Sequence, residues 1–272
     1  IDMGKITAIK KLKRLYRVDL AELDQNKLYV CEDTIVHFFL SVDKIIEDDE
    51  LLEIQRFDQF AQGKSLALYF LSFKMRTAYE VKKYLQEHEI NSEQIEEILT
   101  VLSENHLVND RAYAENFIRG KISMASAGPY QIKQKLGLKG IPNELSDEVI
   151  SEIYTEEDQI DVAYKLAEKL VRSSGHRLTL HQLQQKIIQH LMNKGFNYSV
   201  SSIALESLEL SSDEEHEAEL LYDELEKVAK RYSRNYDGYE RKQKIIASLL
   251  RKGYDYSDVE RALRDFTFED DN

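Results

Sequence analysis

Residues 132–141 read IKQKLGLKGI, and the spacing inside that decade decides the fold. Ile132 and Leu136 stand one helical turn apart, Gly140 follows four residues later, and Ile141 closes the segment. The same frame recurs as Val81, Leu85, Glu89 and Ile90, as Ile187, Leu191, Gly195 and Phe196, and as Ile245, Leu249, Gly253 and Tyr254. Counting from the anchors Leu85, Leu136, Leu191 and Leu249, apolar pairs fall thirteen and fourteen residues on: Ile98-Leu99, Val149-Ile150, Ala204-Leu205 and Ala262-Leu263. With 42% apolar residues, one column agrees in all four copies roughly 3% of the time by chance, so five agreeing columns are a repeat.

The spacings have a physical meaning. The first two apolar positions share one face of a helix, here called b, and the glycine suits a left-handed C-cap that turns the chain. The paired apolar residues then lie on a following helix, c. Upstream, a helix a carries Leu68-Tyr69, Ala112-Tyr113, Ala163-Tyr164 and Leu221-Tyr222, at variable distance from b, as a surface connection allows. A unit of three short helices buries its own apolar faces poorly, so neighbours are expected to stack. The reading is a mainly α protein of tandem three-helix repeats in an elongated array, assigned to residues 61–108, 109–155, 156–210 and 211–272.

Residues 1–60 differ. Ile6–Leu12, Tyr16–Leu20 and Lys27–Cys31 alternate partially and carry β-branched or aromatic residues, which predicts a three-stranded meander with a turn at Asp24-Gln25-Asn26. Strands are expected only in the first ~35 residues. Asp33-Thr34 is placed as the cap of a helix through His37 to Leu40, and Asp48-Asp49-Glu50 as the start of the next. Cys31, the single cysteine, excludes an internal disulfide and reads as a structural thiol.

Composition narrows the function. Ten glycines, two prolines and 32% charged residues favour long helices. No run approaches the roughly 20 apolar residues of a membrane helix, and the charged start lacks a signal-peptide pattern, so a cytoplasmic monomer is expected. Ile1-Asp2 ahead of Met3 reads as a non-native remnant. The net charge of −13 argues against a general nucleic-acid coat, and of the five successive segments 1–60, 61–110, 111–155, 156–210 and 211–272 only residues 111–155 are net positive, at +1. Phosphate-loop, nucleophile-elbow and zinc spacings are missing, and His176 and His181 have no adjacent carboxylate. The expectation is a binding protein without catalytic residues, metal or cofactor. Helix c after a sharp turn resembles a helix-turn-helix, but its starts (Ser92-Glu93, Asn143-Glu144, Tyr198-Ser199, Tyr256-Ser257-Asp258) suit helix caps better than phosphates. Cations recur around the b helices: Arg76, Lys82 and Lys83; Arg119, Lys121, Lys133, Lys135 and Lys139; Lys186 and Lys194; Arg241, Lys242, Lys244, Arg251 and Lys252. They are candidates for a partner-binding stripe, with dipole complementation at helix ends as the alternative.

Three motifs in order resemble a known family. Arg76-Thr77-x-x-Glu80-Val81-x-x-x-Leu85 resembles the first-repeat signature of RecX, the bacterial modulator of RecA recombinase. Asn109-Asp110-x-x-Tyr113-Ala114 is similar to its junction between first and second repeats. Gly128-Pro129-x-x-Ile132-x-x-x-Leu136 with Lys139-Gly140-Ile141 is similar to its most distinctive segment. The rest resembles the longer form, with an N-terminal β-containing extension and an added repeat. The third and fourth units depart from the pattern by lacking the Gly-Pro pair. The resemblance implies a protein that docks in the groove of a RecA–single-stranded-DNA filament. It would there inhibit ATP hydrolysis, strand exchange and coprotease activity and so damp the SOS response, with DNA as a further contact. Two rivals stand beside it: a nucleic-acid binder acting without RecA, and an α-solenoid scaffold for an unrelated partner.

Overall fold

The computed structural model describes residues 3–22 and 26–268. The N-terminal segment forms β1 (Met3–Lys11), β2 (Tyr16–Ala21), β3 (Lys27–Val30), α1 (Glu32–His37) and β4 (Ile45–Glu47). These strands make one antiparallel sheet in the order β3-β2-β1-β4. Ile6, Val18, Leu20, Leu28, Val30 and Ile46 all point to one buried face, which the two-residue period of the strands imposes. Against them pack Leu40 and Ile54.

Two expectations need correction here. The sheet has a fourth strand, β4, outside the first 35 residues; three residues paired to the edge of β1 are too short for a pattern of their own. Helix α1 starts at Glu32 with Cys31 as N-cap and ends at His37, so Asp33 and Thr34 lie inside it. The buried Thr34 hydroxyl donates to Asp58 Oδ1 at 2.7 Å, and the Cys31 amide donates to the same oxygen at 2.7 Å. Cys31 is half-buried, and burial pushes its thiol pKa up, consistent with a structural role. Asp24 and Gln25 of the assigned turn lie outside the described residues.

All the remaining regular structure described is helical. Repeat 1 comprises α2 (Asp48–Leu71), α3 (Ala78–Glu87) and α4 (Ser92–Glu104); repeat 2 comprises α5 (Asp110–Ser123), α6 (Pro129–Leu138) and α7 (Asn143–Ile153). Repeat 3 comprises α8 (Glu156–Ser174), a 3-10 turn at Gly175–Arg177, α9 (Leu180–Asn193) and α10 (Tyr198–Ser207). Repeat 4 comprises α11 (Glu214–Tyr232), α12 (Gly238–Arg251) and α13 (Tyr256–Asp265). Helix α2 begins thirteen residues before the boundary assigned at 60/61, because the acidic run Asp48-Asp49-Glu50 sits at its positive end.

The b helices are α3, α6, α9 and α12, and all eight of their anchor positions, Val81 and Leu85 through Ile245 and Leu249, are fully buried. Gly140, Gly195 and Gly253 have φ of +77°, +96° and +87°, the left-handed cap that their column predicts. Glu89 in repeat 1 takes the same conformation at φ +60°. Two compact units result: Ile1–Asn116 with Lys135–Val149, and Phe117–Gln134 with Ile150–Asn272. Repeat 1 and repeat 4 each hold a core of their own, around Leu85, Ile98 and Leu102 and around Leu225, Ile245 and Leu249.

Candidate functional site

The first motif residues converge on the N-terminus of α3. Thr77 caps that helix by accepting from the Glu80 amide at 3.1 Å, while Glu80 Oε2 accepts from the Thr77 amide at 3.1 Å, a reciprocal capping box. Asp110, at the start of α5, accepts from the Ala78 amide at 2.8 Å, and Asn109 caps α5 itself through the Ala112 amide at 2.9 Å. The Thr77 hydroxyl donates to the Lys139 carbonyl at 2.7 Å, and the Lys139 ammonium donates to Glu80 Oε1 at 2.8 Å. Arg76 Nη1 lies 3.9 Å from the same carboxylate, with its guanidinium 3.9 Å above the Phe70 ring. Phe70 in turn stacks on Tyr84 at 4.1 Å.

These contacts set the charges. Burial pushes the Glu80 pKa up, but the Lys139 hydrogen bond, the Thr77 amide and the neighbouring cations outweigh it and hold the carboxyl below its ordinary 4.5. The same hydrogen bond and charge raise the Lys139 pKa. Burial and the Glu80 charge raise that of Tyr113, the aromatic residue of the second motif. A carboxyl with a depressed pKa stabilises the fold above its unfolded value, and that contribution fades as pH falls through the folded value. Glu80→Gln is therefore expected to cost about 1.5–3 kcal/mol at pH 7, the range for hydrogen bonds to charged groups. The gap between wild type and variant, read from urea midpoints, should narrow below pH 4.5. A gap as wide at pH 3 as at pH 7 would contradict this assignment.

The same junction occurs twice more, each time between the start of one b helix and the Lys-Gly end of the next. Gly128, before α6, donates its amide to the Lys194 carbonyl at 2.7 Å, and the Tyr130 amide donates to the Gly195 carbonyl at 3.1 Å. A Cβ on Gly128 would lie 2.5 Å from the Gly195 carbonyl carbon, so no side chain fits. The buried Tyr154 hydroxyl donates to the Ala127 carbonyl at 2.9 Å and fixes the approach. At α9, Thr179 and Gln182 form a second capping box, and Gln182 Nε2 donates to the Lys252 carbonyl at 2.7 Å. Lys252 itself pairs with Glu224. In all three junctions a lysine carbonyl left open at a helix C-terminus meets donors at a helix N-terminus, which also sets opposite dipole ends together.

The missing Gly-Pro pair of repeat 3 now has an explanation. Where Ala78 donates to Asp110, Leu180 donates to Glu217 at 2.5 Å. Pro129 occupies the same first helical position in repeat 2 and has no amide hydrogen to satisfy. Thr179-Leu180 with Glu217 thus does the work of Gly128-Pro129.

Of the candidate cations, Lys83, Arg119, Lys186, Lys242, Lys244, Arg251 and Lys252 are exposed, Lys244 lying 5.3 Å from the Tyr236 ring centroid. Lys82 pairs with Glu96 at 2.5 Å, and Lys121 lies 5.2 Å from the Phe117 ring centroid. Lys133 and Lys135 are half-buried and engaged in interactions of their own. Two residues assigned to the stripe are placed otherwise. Arg241 is buried, with its guanidinium 4.0 Å from the Phe268 ring centroid and a hydrogen bond to Ser233, because its helix faces the repeat 4 core there. Lys139 spends its ammonium on Glu80. Among the described residues no group of three or more His, Cys, Asp or Glu could hold a metal ion, and no helix is long and apolar enough to cross a membrane.

Comparison with known proteins follows the same divisions. The first, second and third three-helix domains of RecX match residues 64–102, 109–150 and 156–205, and the third matches again at 214–263. Regulatory protein RecX of Lactococcus lactis subsp. cremoris (strain SK11) is 68% identical over 98% of this chain and 99% of its own length. That of Streptococcus gordonii is 47% identical over 96% and 99%. Among solved structures, a crystal structure of regulatory protein RecX aligns with a TM-score of 0.60 at 32% identity, covering 75% of this chain and 99% of its own. RecX from Lactobacillus salivarius aligns with a TM-score of 0.54 at 33% identity, covering 57% and 99%. By repeat order, by junction residues and by near-full-length identity, the chain belongs to the RecX family of regulatory proteins.

Proposed function

We propose that this chain regulates the RecA recombinase by binding the RecA–single-stranded-DNA filament and slowing its ATP hydrolysis, strand exchange and coprotease activity. The observation that carries the reading is 68% identity to a regulatory protein RecX across 98% of the chain. Two structural features support it. The motif residues Thr77, Glu80, Asn109, Asp110, Gly128, Pro129 and Gly140 are consumed in joining repeats, so they build a scaffold and leave recognition to the surface. That surface mixes exposed cations such as Lys83, Lys242 and Lys244 with many carboxylates, which suits a partner made of both protein and phosphate.

The chain acts on the filament by occupying it, without chemistry of its own. The test is co-sedimentation with RecA, with and without single-stranded DNA and a non-hydrolysed nucleotide. The expected outcome is co-sedimentation with the assembled filament, weakening as salt rises because screened ion contacts contribute less. Sedimentation that is indifferent to RecA would overturn the reading in favour of a direct nucleic-acid binder. The chain staying in the supernatant under all conditions would favour a scaffold for another partner.

A further inference from the structure

The charge of the N-terminal segment is segregated in a way its total conceals. Residues 1–30 hold Lys5, Lys10, Lys11, Lys13, Arg14, Arg17 and Lys27 against Asp2, Asp19, Glu22 and Asp24, in a chain of net charge −13. Five of the cations fall within residues 10–17, the β1–β2 hairpin, which contains no carboxylate. The hairpin is a defined loop, closed by the Leu12 amide donating to the Leu15 carbonyl at 2.8 Å. Lys10, Lys13 and Arg14 are exposed and have no carboxylate partner among the described residues, whereas Arg17 pairs with Asp19 at 3.0 Å. So dense a basic run without internal neutralisation is the electrostatic footprint of a polyanion site.

The sheet adds an aromatic surface beside that charge. Cross-strand pairing places Lys10 opposite Arg17 and Arg17 opposite Tyr29, in one row across β1, β2 and β3. The row lies on the outward face, since the alternate residues Val18, Leu28 and Val30 are buried. At interstrand spacing it spans about 10 Å. Tyr29 is 50% exposed on the edge strand. It also lines a groove of about 620 Å³ with Lys27, Gln55, Arg56, Asn91 and Gln94, where Glu93 and Asp58 supply the carboxylates. Asp58 is already satisfied by Cys31, Thr34 and Gln62. Cations that track a backbone, an exposed ring and amides bordering a groove are the elements that hold unpaired bases. An acidic protein segment would use the cations and leave the ring and groove idle.

We propose that the β1–β2 hairpin and the outward face of the sheet form a binding surface for single-stranded nucleic acid. Phosphates lie along Lys10, Lys13 and Arg14, and a base stacks on Tyr29. The proposal goes beyond the RecA reading and does not depend on it, because the surface acts without RecA.

The experiment is fluorescence anisotropy of a labelled 20-nucleotide oligothymidylate with the full chain, in the absence of RecA. Wild type is compared with Lys10→Gln/Lys13→Gln/Arg14→Gln and with Tyr29→Ala. The triple variant should lose at least tenfold in affinity at low salt. Its log–log salt slope should fall by about two units, near 0.7 for each phosphate contact removed. Tyr29→Ala should lose about tenfold while keeping the wild-type slope, since stacking releases no counterions. Melting temperatures should stay near wild type, because all four side chains are exposed. Ultraviolet cross-linking to 5-iododeoxyuridine should mark the peptide that carries Tyr29. No oligothymidylate binding by wild type, unchanged affinity in both variants, or cross-links confined to the helical repeats would each overturn the proposal. Equal loss on duplex DNA, with Tyr29→Ala silent, would overturn the single-strand assignment. RecA co-sedimentation is read separately, so either proposal can fail alone.

Discussion

Gly140→Ala lowers the stability of the chain by about 2–5 kcal/mol, although it adds one methyl group to an exposed turn. Two independent costs combine. At φ +77° an L-residue loses about 1–2 kcal/mol to its own carbonyl. The new Cβ would also lie 2.2 Å from the Tyr79 Cβ, so α3 must shift, at a further ~1–3 kcal/mol. Gly137→Ala, three residues earlier within α6, should do the opposite and stabilise by about 0.5–1 kcal/mol, because a Cβ there meets nothing within 4 Å and helix propensity improves. Urea midpoints of the two variants should move in opposite directions. If both fall together, or Gly140→Ala is neutral, the repeat junction is not as close as described.

The second large effect separates scaffold from surface. Leu136 is fully buried one turn from Ile132, and Leu136→Ala should cost about 2–5 kcal/mol in lost burial and a residual cavity. Reversing Lys133, Lys135 and Lys139 together is not the matching surface test. Lys139→Glu would set a second carboxylate against Glu80, where the ammonium now donates at 2.8 Å, and would itself destabilise the fold. The exposed set Lys83→Glu, Lys242→Glu and Lys244→Glu avoids this and should melt within about 1 kcal/mol of wild type.

Much of this architecture is legible in the sequence because burial imposes periods. Val81-Leu85 and its three counterparts, the paired residues on helix c and the glycine column all follow from which face a helix must hide. The junctions were harder to read because they join residues 59 to 70 positions apart, such as Lys139 with Glu80 and Gln182 with Lys252. No local pattern encodes such a pairing. One signal was present: a lysine precedes the glycine in Lys139-Gly140, Lys194-Gly195 and Lys252-Gly253, whereas the first copy has His88-Glu89. That lysine column marks a helix end on which another helix begins, and it separates Lys139 from the surface cations. Strand β4 was invisible for a different reason: Ile45–Glu47 is a strand only because β1 offers an edge. The basic hairpin was hidden by averaging, since residues 31–60 carry an acidic excess that makes the first sixty residues net negative.

The proposed restraint of RecA through exposed cations is read out in RecA's single-stranded-DNA-dependent ATP hydrolysis, titrated with wild type and with Lys83→Glu/Lys242→Glu/Lys244→Glu. Suppression by wild type, and at least tenfold more of the variant needed for the same suppression at an unchanged melting temperature, is the predicted result. Hydrolysis left untouched by saturating wild type, or suppressed equally by the variant, would overturn restraint through these cations.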